Sequence, residues 1–262
     1  MINISEIQNQ WENFIKNNEI PKNIRPDILS SWLRCKKYKI DTENGRGKEI
    51  PKEEFEKILD EHKELIEIAI PVMVDIFKLL KETDYSIVLT DENAVILEVI
   101  GNEKIMDKNI KLHFLKGCEW TEENVGTNAI GTCLYLNKPI RTLGAEHYCK
   151  KQHGWTCSAA PIHDDKGKII GIIDLSGHFY EFHSHTLGIV VEAANAIQKQ
   201  FSINEHRKWA ETAINSIDDG ILVIDNEFEV KDFNLKICEI LKVSQQEFHK
   251  INIKVLLKDI IK

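Results

Sequence analysis

The apolar positions along this chain change their period twice. Over residues 1–80 they recur at helical spacing. Trp11, Phe14 and Ile15 share one stripe until Ile20 and Pro21 interrupt it, and Arg25-Pro26 prepares a second start at Asp27. Ile28, Leu29, Trp32 and Leu33 make the stripe of that helix, with Ser30 and Ser31 beside it and Arg34 and Lys36 near its end. Asp41 to Gly47 is polar and contains two glycines, which predicts a loop. Pro51 then opens a long helix whose apolar side carries Phe55, Ile58, Leu59, Leu65, Ile66 and Ala69. Val72, Val74, Ile76, Phe77 and Leu80 continue it beyond a kink expected at Pro71.

From residue 85 strand patterns take over. Ser86–Thr90 and Val95–Ile100 flank the turn Asp91-Glu92-Asn93, Pro139–Arg141 is a short strand, and Trp155–Ile162 is a longer one. Asp164–Gly167 is a polar hairpin turn leading into the strand Lys168–Leu175. A long helix follows from about Ser184 toward Arg207, with Leu187, Val190, Val191, Ala194 and Ile197 as its stripe. Strand pairs with long flanking helices predict an α+β domain built on a central antiparallel sheet. A further module begins near Trp209. Its helical stripe (Trp209, Ala213, Ile214, Ile217) leads to the strands Ile221–Asp225 and Phe228–Phe233, the helix Leu235–Leu241 and another helix near Ser244. A two-stranded hairpin is marginal alone, so this module is expected to be truncated. The division is 1–80 as an N-terminal helical region, 81–207 as the sheet-bearing domain and 208–262 as the start of another domain.

Composition narrows the classes. In 262 residues, 42% hydrophobic and 29% charged content is a globular balance that excludes a fully disordered chain. Lys and Arg total 34 against 42 Asp and Glu, and only 5 of the 34 are Arg, so the overall field does not draw the chain to phosphate backbones. No apolar run reaches the roughly 18–20 residues of a bilayer span, and Met1–Glu6 lacks the basic and apolar regions of a signal peptide. Six cysteines are too few for a disulfide-dense scaffold. A reduced, cytoplasmic protein with no membrane partner is expected.

Candidate chemistry concentrates in two stretches. No phosphate loop and no nucleophile elbow is present. Ser158, near His147, His153 and His163 in sequence, has no visible oxyanion loop, so no enzyme is expected. In Glu146–Cys157, Cys149 and His153 are four apart and would share one face of a helical turn, with Cys157 folding back over them. With His147 these make a candidate set for zinc or ferrous iron, although the spacing is not that of a zinc finger. The alternative has His147 and Trp155 lining an organic pocket, Cys149 as a surface thiol and Cys157 as a small buried hydrophobe. In Gly117–Gly131, the polar residues Thr121, Asn124, Thr127 and Asn128 predict a turn and then a helix start near Thr127 or Asn128. This stretch is expected to wall a small-molecule cavity, its rival being a solvated loop that merely packs Trp120.

The block Asn124-Val125-Gly126-Thr127-Asn128-Ala129-Ile130-Gly131-Thr132 resembles the sensory GAF domain of acetoin- and glycerol-type sigma-54-dependent transcriptional activators. So do Glu146-His147-Tyr148, Thr156–Ile162, Gly171–Gly177 and the earlier Ser31-Trp32-Leu33-Arg34-Cys35. The resemblance covers roughly residues 25–205 and implies a six-stranded antiparallel sheet with an effector cavity. Trp120, Asn124, Thr127, Asn128, His147, Trp155, Cys157 and Asp174 are the implied effector-binding residues. The module from Trp209 resembles the start of a PAS domain, with Asn234 after its second strand. The family's AAA+ ATPase and helix-turn-helix motifs do not occur in this chain, so contact with sigma-54 RNA polymerase and DNA would fall to domains outside it. Family effectors include acetoin, polyols, alcohols, ketones and gases, and a small organic effector is the first expectation. A metal or thiol-based redox signal is the second, through iron or zinc on His147, Cys149, His153 and Cys157, with Cys118 and Cys133 as further thiols. A non-sensory interaction module, its cavity filled by Trp120, His147 and Trp155, is the third. The helices at 51–80 and 184–207 are expected to form a homodimer surface, unless both stripes are buried on their own sheet.

Overall fold

The computed structural model describes residues 4–80, 83–181 and 183–248. Residues 249–262 of the expected truncated module therefore lie outside the described residues. The chain divides into two compact units, Met1–Phe201 and Ser202–Lys262.

In the first unit the N-terminal stripes form α1 (Ile4–Asn17) and α2 (Pro26–Tyr38), with Trp11, Phe14, Ile28, Trp32 and Cys35 all buried. Pro26 occupies the first turn of α2, where its missing N–H costs nothing. A two-residue strand, β1 (Lys48–Glu49), precedes α3 (Lys52–Glu61) and α4 (Lys63–Leu79). The long helix expected here is interrupted at His62, and α4 runs through Pro71. Pro71 is exposed, so water can satisfy the carbonyl its ring leaves unbonded. His62 instead turns its ring back, with Nδ1 2.8 Å from the Ile58 carbonyl.

The sheet-bearing part comprises β2 (Tyr85–Thr90), β3 (Ile96–Gly101), α5 (Glu103–Leu112), β4 (Cys118–Glu119), α6 (Glu122–Val125), α7 (Ala129–Leu136), β5 (Ile140–Leu143), β6 (Trp155–His163), β7 (Ile169–His178) and α8 (Thr186–Asn215). The strand order is β3-β2-β7-β6-β5, with every neighbouring pair antiparallel. This is an α+β architecture, but the main sheet has five strands where the resemblance implied six. The two-residue β4 pairs with β1 and meets the start of β3 through a single bridge, Glu119 to Val95, without extending the ladder. Helix α5, not anticipated from sequence, carries Ile105, Met106, Ile110 and Leu112 at helical spacing and is started by Asn102, whose side chain accepts from the Ile105 N–H at 3.0 Å. The separate helices expected at 184–207 and from Trp209 form the single helix α8.

Strand alternation divides the core in two. Ile87 and Leu89 of β2, Ala160 and Ile162 of β6, and Ile173 and Leu175 of β7 point to one face, where Leu65, Ala69 and Met73 of α4 and Val190, Ala194 and Ile197 of α8 cover them. Val88, Ala159 and Ile172 point to the other face, beneath α1, α2, α5 and α7. Asp174 and Ser176 share that second face with Cys157, because the register sets Cys157 opposite Ser176 and Ala159 opposite Asp174. Cys157, Asp174 and Ser176 therefore point one way, while Ser158 of β6 points the other.

The second unit contains β8 (Leu222–Ile224), β9 (Val230–Phe233), α9 (Leu235–Leu241) and α10 (Gln245–Phe248). Asn234 is fully buried and organises it. Its Oδ1 accepts from the N–H groups of Ile221 and Ile237, and its Nδ2 donates to the carbonyls of Ile214 and Asp219. Among the described residues no helix is long and apolar enough to cross a membrane.

Candidate effector cavity

Between the polar face of β6 and β7 and the segments that follow α5 lies a small cavity of about 20 Å³. Leu112, Phe114, Trp120, Ala129, Ile130 and Trp155 supply its apolar wall, and Asn128, His147, Gln152, Cys157, Asp174 and Ser176 its polar groups. An apolar lining with a few converging polar side chains is the usual form of a small-molecule site, although this volume is well below that of a typical one.

Each wall is held by its own hydrogen bonds. The Trp120 indole donates to the His113 carbonyl at 3.0 Å and meets the Phe114 ring edge-on at 4.5 Å. Asn128 caps α7: its Oδ1 accepts from the Gly131 N–H at 2.8 Å, and its Nδ2 donates to the Gly126 carbonyl at 2.9 Å. Two glycines make this turn possible. Gly126 has φ +75 and would press a Cβ to 2.8 Å from Tyr148 Cβ, while a Cβ on Gly131 would come within 2.7 Å of the Glu122 nitrogen.

The ionisable groups of the cavity are shifted toward neutrality. His147 has Nδ1 2.9 Å from the Gly144 carbonyl and Nε2 2.9 Å from the Thr142 hydroxyl. A carbonyl only accepts, so Nδ1 carries the hydrogen and Nε2 receives the Thr142 hydroxyl. Burial pushes this imidazole down to about 3, so it is neutral. Burial also pushes the Asp174 carboxyl up to about 7, against the opposing pull of the Ser176 hydroxyl, which donates to Oδ2 at 2.5 Å. The Cys157 thiol is held well above its usual range by burial and by Asp174. Among the described residues, no Lys or Arg lines the cavity.

Behind the cavity, α1 and α2 grip the segments that line it. Glu122, which opens α6, accepts from Ser31, from Thr132 at 2.8 Å and from two nitrogens of Arg34 at 2.6 and 2.8 Å. Arg25 forks onto Glu146 in the same way, at 2.9 and 2.6 Å. The indoles of Trp32 and Trp11 donate to the backbone carbonyls of Glu146 (2.8 Å) and Tyr148 (3.0 Å), on either side of His147. Ser31, Trp32, Arg34 and Cys35 thus all bond to, or lie against, the polar segments between Glu122 and Tyr148.

Six of the eight sequence-predicted effector residues line this cavity: Trp120, Asn128, His147, Trp155, Cys157 and Asp174. Thr127 and Asn124 do not. Thr127 is buried but turns to α2, 2.6 Å from Ser31 Oγ and 3.4 Å from Cys35 Sγ. Asn128 is extended, so the neighbouring Thr127 side chain leaves on the opposite side. Asn124 sits within α6, half-buried and away from the cavity lining.

The four residues expected to ligate zinc or iron are not gathered into one set, which corrects that expectation. His147 and Cys157 line the cavity. The Cys149 thiol donates to the carbonyls of Asp41 and Val125, each at 3.3 Å. His153 has Nε2 3.2 Å from the His147 carbonyl and its ring edge-on to Trp11 at 4.7 Å. The reason is local: Cys149 is extended and Lys150–Gln152 is a 3-10 turn, so 149 and 153 do not share a helical face. Among the described residues the one gathered group of such side chains is His62, Asp91 and Glu92 at the β2–β3 turn. There Asp91 Oδ1 is occupied by the Val95 and Asn93 N–H groups, and Glu92 meets His62 Nε2 at 2.8 Å. Ser158 lies on the other sheet face, 3.2 Å from the Thr186 hydroxyl, and His163 bonds to Asn137. Gln152 was not anticipated from sequence, because a glutamine inside a Lys-Lys-Gln-His run carries no signal of burial.

Residues 4–198 match the family described as MimR, N-terminal domain. The chain belongs to that family. Its relatives include the signal-transduction and transcriptional-control protein of Clostridium beijerinckii, 31% identical across 88% of this chain and 38% of the relative. They also include the acetoin dehydrogenase operon transcriptional activator AcoR of Bacillus subtilis, 32% identical across 77% of this chain and 34% of the relative. The propane 2-monooxygenase operon activator MimR of Mycolicibacterium goodii is 29% identical across 60% of this chain and 26% of its own. The chain thus spans between a quarter and two-fifths of these regulators. In the solved E. coli DhaR(N)–DhaL complex a chain matches with TM-score 0.68 at 21% identity, covering 84% of this chain and 78% of that one. That likeness speaks for the fold. The MimR-family domain in hand is therefore of the kind that transcriptional regulators carry at their N-terminus, and the match takes in α1 and α2 together with the sheet.

Proposed function

We propose that this chain is the signal-sensing part of a transcriptional activator and that its cavity takes a small, uncharged organic effector. The observation that carries the reading is the apolar cavity with convergent polar groups, reached from sequence by six of its own lining residues. Its neutral His147 and the lack of a lining Lys or Arg disfavour anions.

Occupancy is passed on by differential affinity for two packings. The effector would touch Asn128 and His147, whose neighbours Glu122 and Glu146 hold α2 through Arg34 and Arg25. A shift of either segment changes how α2 seats. We read the second unit as the start of a PAS-type module, on the strength of its hairpin and the buried Asn234. Contact with sigma-54 RNA polymerase and DNA is assigned to domains outside these residues. A homodimer through α4 and α8 is part of the same reading, supported by Val72, Ile76, Leu187 and Val191 lining a groove between them. Sedimentation showing a monomer at every concentration would remove that part.

The sensing reading is tested by thermal unfolding in the presence of small neutral organic compounds. A ligand that binds only the folded state raises the midpoint with its concentration. The Ala129→Phe variant, which fills the cavity beneath α7, is expected to lose that rise. A rise that persists unchanged in Ala129→Phe would place the ligand elsewhere and overturn the assignment.

A further inference from the structure

The break between α3 and α4 and the β2–β3 turn bring three donor side chains together, and none of the three lines the cavity. One ligand atom each from His62, Asp91 and Glu92 lies within 4.8 Å of the other two. Asp91 is fully buried, and the side chains of His62 and Glu92 are only 16% and 32% exposed.

The His62 ring is oriented from outside the group. Its Nδ1 lies 2.8 Å from the Ile58 carbonyl, which only accepts, so Nδ1 carries the hydrogen. In the neutral ring Nε2 is then a lone pair, and it points at Glu92 Oε2 from 2.8 Å. Two lone pairs that close repel unless a positive centre, a proton or a metal ion, sits between them. One ring nitrogen donating to a backbone carbonyl while the other is free to ligate is the usual arrangement of a metal-bound histidine. Asp91 is set in a similar way. Its Oδ1 accepts from the Val95 and Asn93 N–H groups at 2.7 and 2.9 Å. Its Oδ2 has Asn93 Nδ2 at 3.5 Å, the outer edge of a hydrogen bond, and is the oxygen left for a ligand.

We propose that His62, Asp91 and Glu92 form a zinc site, ligating through Nε2, Oδ2 and a Glu92 carboxylate oxygen. Imidazole selects zinc over magnesium and calcium, which take oxygen donors. Zinc also imposes no geometry of its own, unlike copper or nickel. Two carboxylates beside a neutral ring carry two negative charges, which a divalent ion balances. Ligands about 2.0–2.1 Å from a tetrahedral ion stand about 3.3 Å apart, so Nε2 and Oε2 must part by roughly half an ångström. The partly exposed Glu92 side chain has room for that movement, and water takes the fourth position. The ion ties the start of α4 to the β2–β3 turn. Leu65, Ala69 and Met73 follow on that helix and cover the apolar face of the sheet, so zinc stabilises the fold there.

The test is calorimetric titration of the chain with zinc chloride, on protein purified without a histidine tag and kept reduced by a phosphine. One equivalent is expected to bind, with an unfolding midpoint that rises with zinc concentration. His62→Gln and Glu92→Gln should each lower zinc affinity by more than the roughly 10–100-fold that a lost outer-shell partner costs. His185→Gln, at an exposed position before α8, should leave it unchanged. Cobalt in place of zinc reads the donor atoms: nitrogen and oxygen ligands give no sulfur-to-metal charge-transfer band, whereas the cysteines of the chain would. Circular dichroism first establishes that each variant is folded; should His62→Gln fail to fold, Glu92→Gln alone decides. Zinc held by both variants as tightly as by the parent, or a thiolate band with cobalt, places the ion on other residues and overturns the site. Zinc left unbound by the folded parent means that a proton joins His62 to Glu92, and this overturns it too. Neither result bears on the effector cavity, whose own test is separate.

Discussion

The two faces of the central sheet are cut from the same strands, yet they are built for opposite ends. Toward α4 and α8 the strands present Ile87, Leu89, Ala160, Ile162, Ile173 and Leu175, an apolar layer that also takes in the buried ring of Tyr85. Toward α1, α2 and α7 the same strands present Cys157, Asp174 and Ser176, with a carboxyl held far from its ordinary range and an oxygen left unbonded. The first face maximises burial. The second gives up stability for chemistry that an apolar layer cannot perform, which is the pattern of a binding site. The difference teaches where a perturbation should appear: on one face as lost stability, on the other as lost recognition.

The largest effect should come from the grip behind the cavity. Arg34→Met leaves the Glu122 carboxylate buried without its main partner, and breaking such a pair costs about 3–5 kcal/mol. The midpoint of urea unfolding reads it. Arg34→Met with Glu122→Met should recover a large part of the loss, and a single variant within about 1 kcal/mol of the parent, no more than an exposed pair is worth, would show that this pair does not hold α2.

Asp174 gives the next effect, with a definite sign. Its folded-state value of about 7 lies above the ordinary carboxylate range, so between the two the native state binds more protons than the unfolded chain. Its contribution is therefore most favourable below about pH 4 and is lost as pH rises toward 7. The loss is on the order of 4 kcal/mol at about 1.4 kcal/mol per unit. Asp174→Asn should remove this slope, leaving the variant more stable than the parent at pH 8 and no better at pH 4. Unfolding midpoints across that range decide it, and an unchanged slope would mean that Asp174 is not the group responsible.

On the apolar face, Leu89→Ala should cost about 3 kcal/mol through lost burial and the cavity left behind. Leu89 is fully buried there, so the affinity of the folded protein for an effector should stay unchanged. A variant that loses affinity in proportion to stability would erase the distinction between the faces. The smallest effect is expected from Asn128→Ala, about 1 kcal/mol for a lost helix cap. Because Asn128 also lines the cavity, affinity should fall alongside it.

Much of this was legible in the chain. The period-two strands, the hairpin turns and the stripes around Trp11 and Trp32 led to the elements that formed. The motif block from Asn124 to Thr132, by resemblance, led to the cavity wall. Asp174 was reached by the same resemblance, and Cys157 by that resemblance and by its place in the Glu146–Cys157 cluster. Gln152 was missed because it does not depart from its polar surroundings, while α5 was passed over although Ile105, Met106, Ile110 and Leu112 fall at helical spacing. The metal set failed because a spacing of four was taken as helical, while Cys149 is extended and the next residues form a 3-10 turn.

The sequence by itself determined which residues alternate on each strand, which segments are helical and which family the motifs resemble, since these depend on neighbours a few positions apart. Tertiary structure alone decided that β4 pairs with β1, that α2 closes over Glu122 and Glu146, and that Gln152 and Asp174 face one cavity with an oxygen each to spare. Those outcomes join residues from Arg25 to Asp174. Contacts across such separations follow from how the hydrophobic layers close and which polar groups they trap, and local pattern holds no record of either.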